Sequence, residues 1–155
     1  MITEYEIALA RPADAQKISE LSRDAIEHGL PWSWTPRRVM RNIHDVSTNV
    51  AVARRGERVL GFAVMRYGDE EAHLLLLAVQ AVLRRRGLGS ALLVWLEATA
   101  RVAGVGLIRL EARAANTAAR SFYRHHGFTE TGLHHGYYQG VEDAVRMTKD
   151  LKLLP

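Results

Sequence analysis

The 155-residue sequence has no cysteine. Disulfides, thiolate zinc sites and cysteine nucleophiles are thereby excluded, and the absence fits a reducing compartment. No apolar run is long enough to cross a bilayer. The longest, Leu74–Val79 and Ala91–Leu96, fall far short of the roughly 20 residues a spanning helix needs. Glu4 and Glu6 stand where a secretory signal would carry basic residues, so the expected location is cytoplasmic, with no membrane contact. Lysine is scarce. Arginine supplies most of the positive charge and is scattered along the chain in the manner of a coding bias; only Arg84-Arg85-Arg86 is concentrated enough to need a local explanation. Repeats, low-complexity segments and long linkers are lacking too. Residues 1–155 are therefore expected to form one domain with one sizeable core. No metal is expected either. Neighbours on a strand point apart and neighbours on a helix do not share a face, so the doublets His125-His126 and His134-His135 do not make ligand pairs.

What is present is an ordinary globular composition, 48% apolar and 25% charged. The net charge of +4 suits an anionic partner, a nucleic acid or a phosphorylated small molecule. Glu6–Ala10 reads as a first strand. Pro12 then opens a helical pattern (Ala15, Ile18, Leu21, Ser22, Ala25, Ile26) that Gly29 and Pro31 end. Thr35 is a helix cap with Pro36 at the first helical position, for a short helix to about Ile43. Asn49–Arg54 and Val59–Tyr67 read as a hairpin about Gly56, and His73–Val79 as a strand buried on both faces. After Arg84–Gly89 comes a long amphipathic helix ending at Gly104 or Gly106. Leu107–Ala112 is a strand, and Asn116 caps a helix that stops at Gly127. Phe128–Tyr138 and Asp143–Leu151 close the chain as strands turning at Gln139-Gly140. The fold class is α/β in the mixed α+β sense, a mixed sheet with helices on both faces.

The strongest local signal is Arg84-Arg85-Arg86-Gly87-Leu88-Gly89-Ser90, between an apolar strand and an amphipathic helix. The first N–H groups of a helix lack internal partners and carry the positive end of its dipole. Glycine lets the backbone approach an anion, and arginine adds charge and donors, which together suit a pyrophosphate. The Gly-Lys-[Ser/Thr] of a P-loop and the third glycine of a dinucleotide fingerprint are both missing. Spacing alone also allows a basic turn before a surface helix, or a nucleic-acid contact. The lack of interleaved aromatic residues argues against the latter.

This Arg-x-x-Gly-x-Gly pattern resembles motif A of the GNAT superfamily of N-acetyltransferases. The downstream Leu110-Glu111-Ala112-Arg113, Asn116, Phe122-Tyr123 and Gly127-Phe128 agree with it. The closest likeness is to the ribosomal-protein-alanine (RimI-type) branch, through Pro31-Trp32-Ser33, Leu110-Glu111, Asn116, Tyr123, Tyr137-Tyr138 and Glu142-Asp143-Ala144; it covers roughly Gly29–Asp150. The resemblance implies a mostly antiparallel sheet of about six or seven strands with about four helices. It also implies acetyl-CoA as co-substrate. Leu77, Ala78 and Val79 would offer backbone to the pantetheine arm and thioester, with a backbone N–H near Ala78 or Val79 polarising the carbonyl. Arg84, Arg85, Arg86, Gly87, Leu88, Gly89 and Ser90 would hold the pyrophosphate, and Asn116 would bond the pantetheine. The cofactor would enter a gap between the strand at Leu77–Val79 and that at Leu107–Ala112. Where the family often has Asp-Pro after the first of these strands, this chain has Gln80-Ala81.

Acetyl transfer to an amine needs a neutral amine, a stabilised carbonyl oxygen and a proton for the leaving thiolate. Glu111 is the candidate base, directly or through a water, on the polar side of its strand with Arg109 and Arg113; on the residues alone the favoured reading is their ion-pair partner, and the resemblance is what points to the base. Tyr123 is the candidate acid, since a phenol of pKa about 10 is protonated at neutral pH; a core tyrosine beside Phe122 is the other reading. Trp32, Trp34, Tyr137 and Tyr138 are candidate walls of the acceptor cleft, with at most one of the adjacent tyrosines facing it. Glu142 and Asp143 are candidates to attract a cationic peptide end. The resemblance implies a protein N-terminal α-amine as acceptor, on the N-terminal alanine of a ribosomal protein, and a monomer or homodimer. A small amine or antibiotic acceptor, or a CoA-binding protein without catalysis, is the alternative.

Overall fold

The computed structural model describes residues 4–152. The strands are β1 (Glu6–Leu9), β2 (Thr48–Arg55), β3 (Arg58–Tyr67), β4 (Glu71–Val79), β5 (Leu107–Arg113), β6 (Thr129–Tyr138) and β7 (Glu142–Asp150). The helices are α1 (Ala15–Ala25), α2 (Pro36–His44), α3 (Leu88–Val102) and α4 (Thr117–His125), with short 3-10 turns at Pro12–Asp14 and Ala81–Leu83. The strands form one seven-stranded sheet in the order β1-β2-β3-β4-β5-β7-β6. Among the described residues only β4 and β5 run parallel, joined by the α3 crossover. The mixed, mostly antiparallel sheet read from the sequence is therefore present, with four helices on its two faces.

Local chemistry sets the element ends. The Thr35 hydroxyl accepts from the Arg38 N–H (3.3 Å) and Asn116 Oδ1 from the Ala119 N–H (3.0 Å), so both expected caps form. The first helix stops well before Gly29, at Ala25. The N–H groups of Ile26 and Glu27 both turn back to the Ser22 carbonyl, and the buried Glu27 carboxylate collects Ser22 Oγ (2.9 Å), Ser33 N (2.6 Å), Ser33 Oγ (2.8 Å) and Trp34 N (3.1 Å). That one side chain ends α1 and fastens the loop leading to α2. Trp34 is consequently a core residue, 6% exposed with the Arg38 guanidinium 4.0 Å over its ring, rather than a cleft wall.

Two apolar clusters sandwich the sheet. Leu88, Leu92, Leu93, Leu96 and Ala100 of α3 and Tyr123 of α4 pack on one face with Ile108, Leu110 and Ala112 of β5. Ile18 of α1, Trp34 and Val39 of α2 pack on the other with Phe62 and Val64 of β3. Strand β4 is buried by both, as its apolar run predicts. Ala72 and Leu74 belong to the first cluster, but Leu76 and Ala78 to the second. The change of face is a β-bulge: Met65 pairs with Leu74 and Val64 with Leu76, leaving Leu75 as the extra residue. A bulge adds twist and bends its strand. Pairing of β4 with β5 ends just there, at Leu74↔Leu110, although β4 runs on to Val79 and β5 to Arg113. Beyond Leu74 the second half of β4 stays with β3, and Gly61 permits that. A Cβ at position 61 would lie 2.6 Å from Val79 Cγ1 and 3.0 Å from the Ala78 carbonyl oxygen. The two parallel strands therefore part in the middle of the sheet.

Buried among these elements is a bidentate pair absent from the sequence reading. Arg54 of β2 donates to both carboxylate oxygens of Asp14 (2.9 and 2.5 Å), which also accepts from the Arg11 N–H (2.7 Å). Burial raises the Asp14 pKa, and the Arg54 hydrogen bonds and charge with the Arg11 N–H outweigh it, for a net lowering. Asp14→Ala, which leaves Arg54 buried and unpaired, is expected to cost about 3–5 kcal/mol in urea unfolding at pH 7. Because the folded pKa lies below the unfolded value of about 3.9, the contribution is complete above pH 5 and fades as pH falls through the folded value. An acid titration of stability in which Asp14→Ala keeps the wild-type slope would contradict this.

Candidate active site

The parting strands open a groove of roughly 510 Å³ between β4 and β5, floored by α3 and α4 and reached on its far side by Ala25 and Ile26 at the end of α1. Of the residues expected at the site, Leu77, Ala78, Val79, Arg84, Arg85, Gly87, Leu88, Gly89, Ser90, Glu111, Asn116, Tyr123 and Tyr138 line it. Arg86, Trp32 and Tyr137 do not. Arg86 is exposed and outside the lining, so the arginine run divides between groove and solvent. Trp32 is 40% exposed beneath Arg23 (5.3 Å), because the Glu27-fastened loop holds it on the surface.

At one end lies the glycine loop. Gly87 has φ 84°, and the helix begins at Leu88; Arg85, which has a Cβ, also sits in the left-handed region at φ 64°. Left-handed backbone at a non-glycine residue costs roughly 1–2 kcal/mol and turns successive N–H groups toward one side. The first helical bond runs from Ala91 to the Gly87 carbonyl, so the N–H groups of Arg85 through Ser90 have no partner among the described residues. A Cβ at position 89 would lie 3.5 Å from the Phe122 ring, and Ser90 Oγ meets His126 Nε2 (2.8 Å), which brings one histidine of the first doublet against the loop. A row of free amides at a helix start beside Arg84 and Arg85 fits a diphosphate.

Along the groove, the Gln80 N–H bonds back to the Leu60 carbonyl of β3 (3.0 Å). Antiparallel alternation then turns the N–H and C=O of Leu77 and Val79 into the gap and those of Ala78 toward β3. Of the two expected carbonyl-polarising amides, this favours Val79. Asn116 spends Oδ1 on the α4 cap, leaving Nδ2 free for a ligand.

Glu111 stands where the strands part, with its side chain only 2% exposed. Its carboxylate accepts from four groups: His73 Nε2 (2.5 Å), Arg109 Nη1 (3.2 Å), Tyr137 hydroxyl (3.1 Å) and Arg146 Nε (3.3 Å). Burial pushes its pKa up, but the His73 hydrogen bond and charge, the Tyr137 hydroxyl and the Arg109 charge together bring it down to about 2. Arg113, the other expected partner, faces Glu142 instead (3.4 Å) and stacks toward Tyr138 (5.9 Å). Tyr138 also reaches the cluster, donating to the Glu111 carbonyl (3.1 Å). Adjacent strand residues should point apart. They converge here because β6 slips register between His134 and Tyr138, held by Asp143, which accepts from the Gly136 N–H (2.9 Å). Asp143 thus holds the hairpin and Glu142 faces Arg113 of β5, so both carboxylates already have partners.

Across the groove, Tyr123 is 9% exposed, edge-on to Phe122 (5.2 Å) and Phe128 (5.6 Å). Burial raises the pKa of its phenol, and its hydroxyl has no partner among the described residues. Arg109 pairs with Glu111 as the ion-pair reading of the sequence has it (3.2 Å), whereas His73 and Arg146 are the site members whose roles the sequence did not reveal. Each lies on a different strand, and only the pairings His73↔Arg109 and Glu111↔Arg146 bring them together. The one local signal was His73, a polar residue at the start of an apolar strand.

Gly87→Ala has open space for its methyl group but a left-handed backbone. It is expected to lose about 1–2 kcal/mol of stability. It should also weaken coenzyme A binding about fivefold by tilting the amides. Melting with and without coenzyme A measures both, and an unchanged affinity contradicts the loop's role.

The acetyltransferase (GNAT) family model matches residues 15–128. The chain is 33% identical over 129 residues to the [ribosomal protein bS18]-alanine N-acetyltransferase of Escherichia coli, covering 81% of this chain and 85% of that one. It is 33% identical over 150 residues to the N-alpha-acetyltransferase RimI of Mycobacterium tuberculosis, covering 92% and 90%. The crystal structure of the E. coli ribosomal-protein-S18-alanine N-acetyltransferase superimposes with a TM-score of 0.83 at 28% identity, over 97% of this chain and 96% of that one. The chain belongs to the GNAT acetyltransferase family and is an N-acetyltransferase with acetyl-CoA as co-substrate.

Proposed function

We propose that the acceptor is the α-amino group at a protein's N-terminus. The observation that carries this is the state of Glu111. Its carboxylate is ionised but already shared among four donors, three of them able to carry positive charge. Such a site disfavours an ammonium and suits an amine that gives up its proton easily. An α-amine, with a pKa of about 8, is easier to deprotonate than a lysine side chain at about 10.4, by about 3 kcal/mol. The activities named for the relatives from E. coli and M. tuberculosis, a [ribosomal protein bS18]-alanine N-acetyltransferase and an N-alpha-acetyltransferase, support the same choice.

Acetyl-CoA supplies the activated acyl carbon and a thiolate leaving group. Arg84, Arg85 and the free amides up to Ser90 hold its diphosphate, and Asn116 Nδ2 with the Leu77 and Val79 backbone aligns the pantetheine arm. The Val79 N–H is placed to stabilise a developing carbonyl oxyanion. A carboxylate held at about 2 is too weak to strip an ammonium alone, since the transfer runs about 6 pKa units uphill. Glu111 therefore positions the amine by accepting its hydrogen bond, held in place by His73, and the proton leaves through water to solvent. Tyr123, kept protonated by burial, donates to the departing sulfur.

Tyr123→Phe removes that donor without changing the packing. A loss of about 100-fold or more in kcat is expected, with coenzyme A affinity within twofold of wild type. A peptide with a free N-terminus should be acetylated, and the same peptide with a blocked N-terminus and internal lysine should not. Full turnover by Tyr123→Phe would remove the tyrosine from the mechanism, and turnover confined to polyamines or aminoglycosides would remove the protein acceptor.

A further inference from the structure

The acceptor side of Glu111 carries positive charge that the reaction does not use. No residue of β5, β6 or β7 belongs to the apolar cluster beneath α1 and α2, so the sheet face bearing Arg109, Glu111 and Arg146 is left uncovered by helix. Arg146 is the most open member, with its side chain 46% exposed. Its Nε bonds Glu111 (3.3 Å), and neither Nη group has a partner among the described residues. Arg109 beside it is 31% exposed, shared between Glu71 (3.1 Å) and Glu111 (3.2 Å). His134 adds an exposed imidazole next to Tyr137 (5.0 Å).

The carboxylates of this region are already matched. Glu71 is spent on Arg109, Glu142 on Arg113 (3.4 Å), and Asp143 on the Gly136 N–H (2.9 Å) and His135 (3.3 Å). Glu111 is buried and shared. What remains facing solvent beside the amine site is the outer half of the Arg146 guanidinium, with its two planar donor groups unmet. Guanidinium groups bind carboxylates through paired donors.

We infer that this strip selects protein N-termini with an acidic side chain in the second or third position. The inference rests on the α-amine reading above. An amine bonded at Glu111 places the next residues of an extended chain about 3–7 Å further on, within reach of Arg146. A carboxylate there meets the unpaired Nη groups. A lysine or arginine there faces Arg146 and Arg109 with no uncommitted carboxylate to receive it.

The test uses the full chain, saturating acetyl-CoA and three peptides that differ only in their second residue, Ala-Asp, Ala-Ala and Ala-Lys. The wild type is expected to favour Asp over Lys by about tenfold in kcat/KM at low salt, with Ala between. The preference should shrink as ionic strength rises. Arg146 touches Glu111, so absolute rates will fall in any variant and the Asp/Lys ratio within each variant is the readout. Arg146→Gln should bring the ratio near one, and Arg146→Glu should invert it. Equal rates for the three wild-type peptides, a preference for Lys, or a ratio unmoved by Arg146→Glu overturns the inference while leaving N-terminal acetylation intact. If no peptide is acetylated while small amines are, the acceptor reading fails and this inference falls with it.

Discussion

The site depends on two parallel strands that stop pairing halfway along. Had β4 and β5 stayed in register past Leu74 and Leu110, their backbone groups would have satisfied each other and no groove would exist. Instead, the bulge at Leu75 turns the end of β4 onto the opposite core, and Gly61 gives it room against β3. The strand remains anchored by its other edge. The gap is therefore lined on one side by backbone groups that have lost their sheet partners and so seek a polar ligand. A pantetheine arm, with its amides spaced along an extended chain, answers that need.

Two chemistries meet at the parting point because the sheet brings its faces together there. Tyr123 comes from the α3/α4 side, packed among Phe122 and Phe128, where burial keeps the phenol protonated. Glu111 comes from the other side, where His73, Arg109, Tyr137 and Arg146 keep a carboxylate ionised in spite of burial. One environment raises an acid's pKa and the other lowers one. That divergence separates the proton donor from the group that receives the amine.

Much of this was legible in the residues because the signals are local. Thr35 and Asn116 cap helices through their own side chains, and the glycine loop announces a helix start by its spacing. The apolar run of β4 predicted burial on both faces, and it is buried on both. What was hidden depends on register. The Glu111 cluster joins four strands through pairings that no window of sequence displays, and the convergence of Tyr137 and Tyr138 needs a slip in β6 that alternation cannot foresee. Trp32 was read as a cleft wall for its size. Its true position follows from Glu27, a carboxylate that folds back on its own helix end. The Asp14–Arg54 pair was invisible for the same reason, its partners being forty residues apart.

The claim on which the rest turns is that the amides from Arg85 to Ser90, together with the gap-facing edge of β4, are the receiving surface for the co-substrate. Residue-resolved amide hydrogen exchange, with and without saturating coenzyme A, addresses those groups directly. The account predicts slowed exchange at Arg85–Ser90 and at Leu77 and Val79, with α2 and β1 unchanged. Exchange at the loop and β4 unaffected by coenzyme A, or protection confined to other elements, would contradict it.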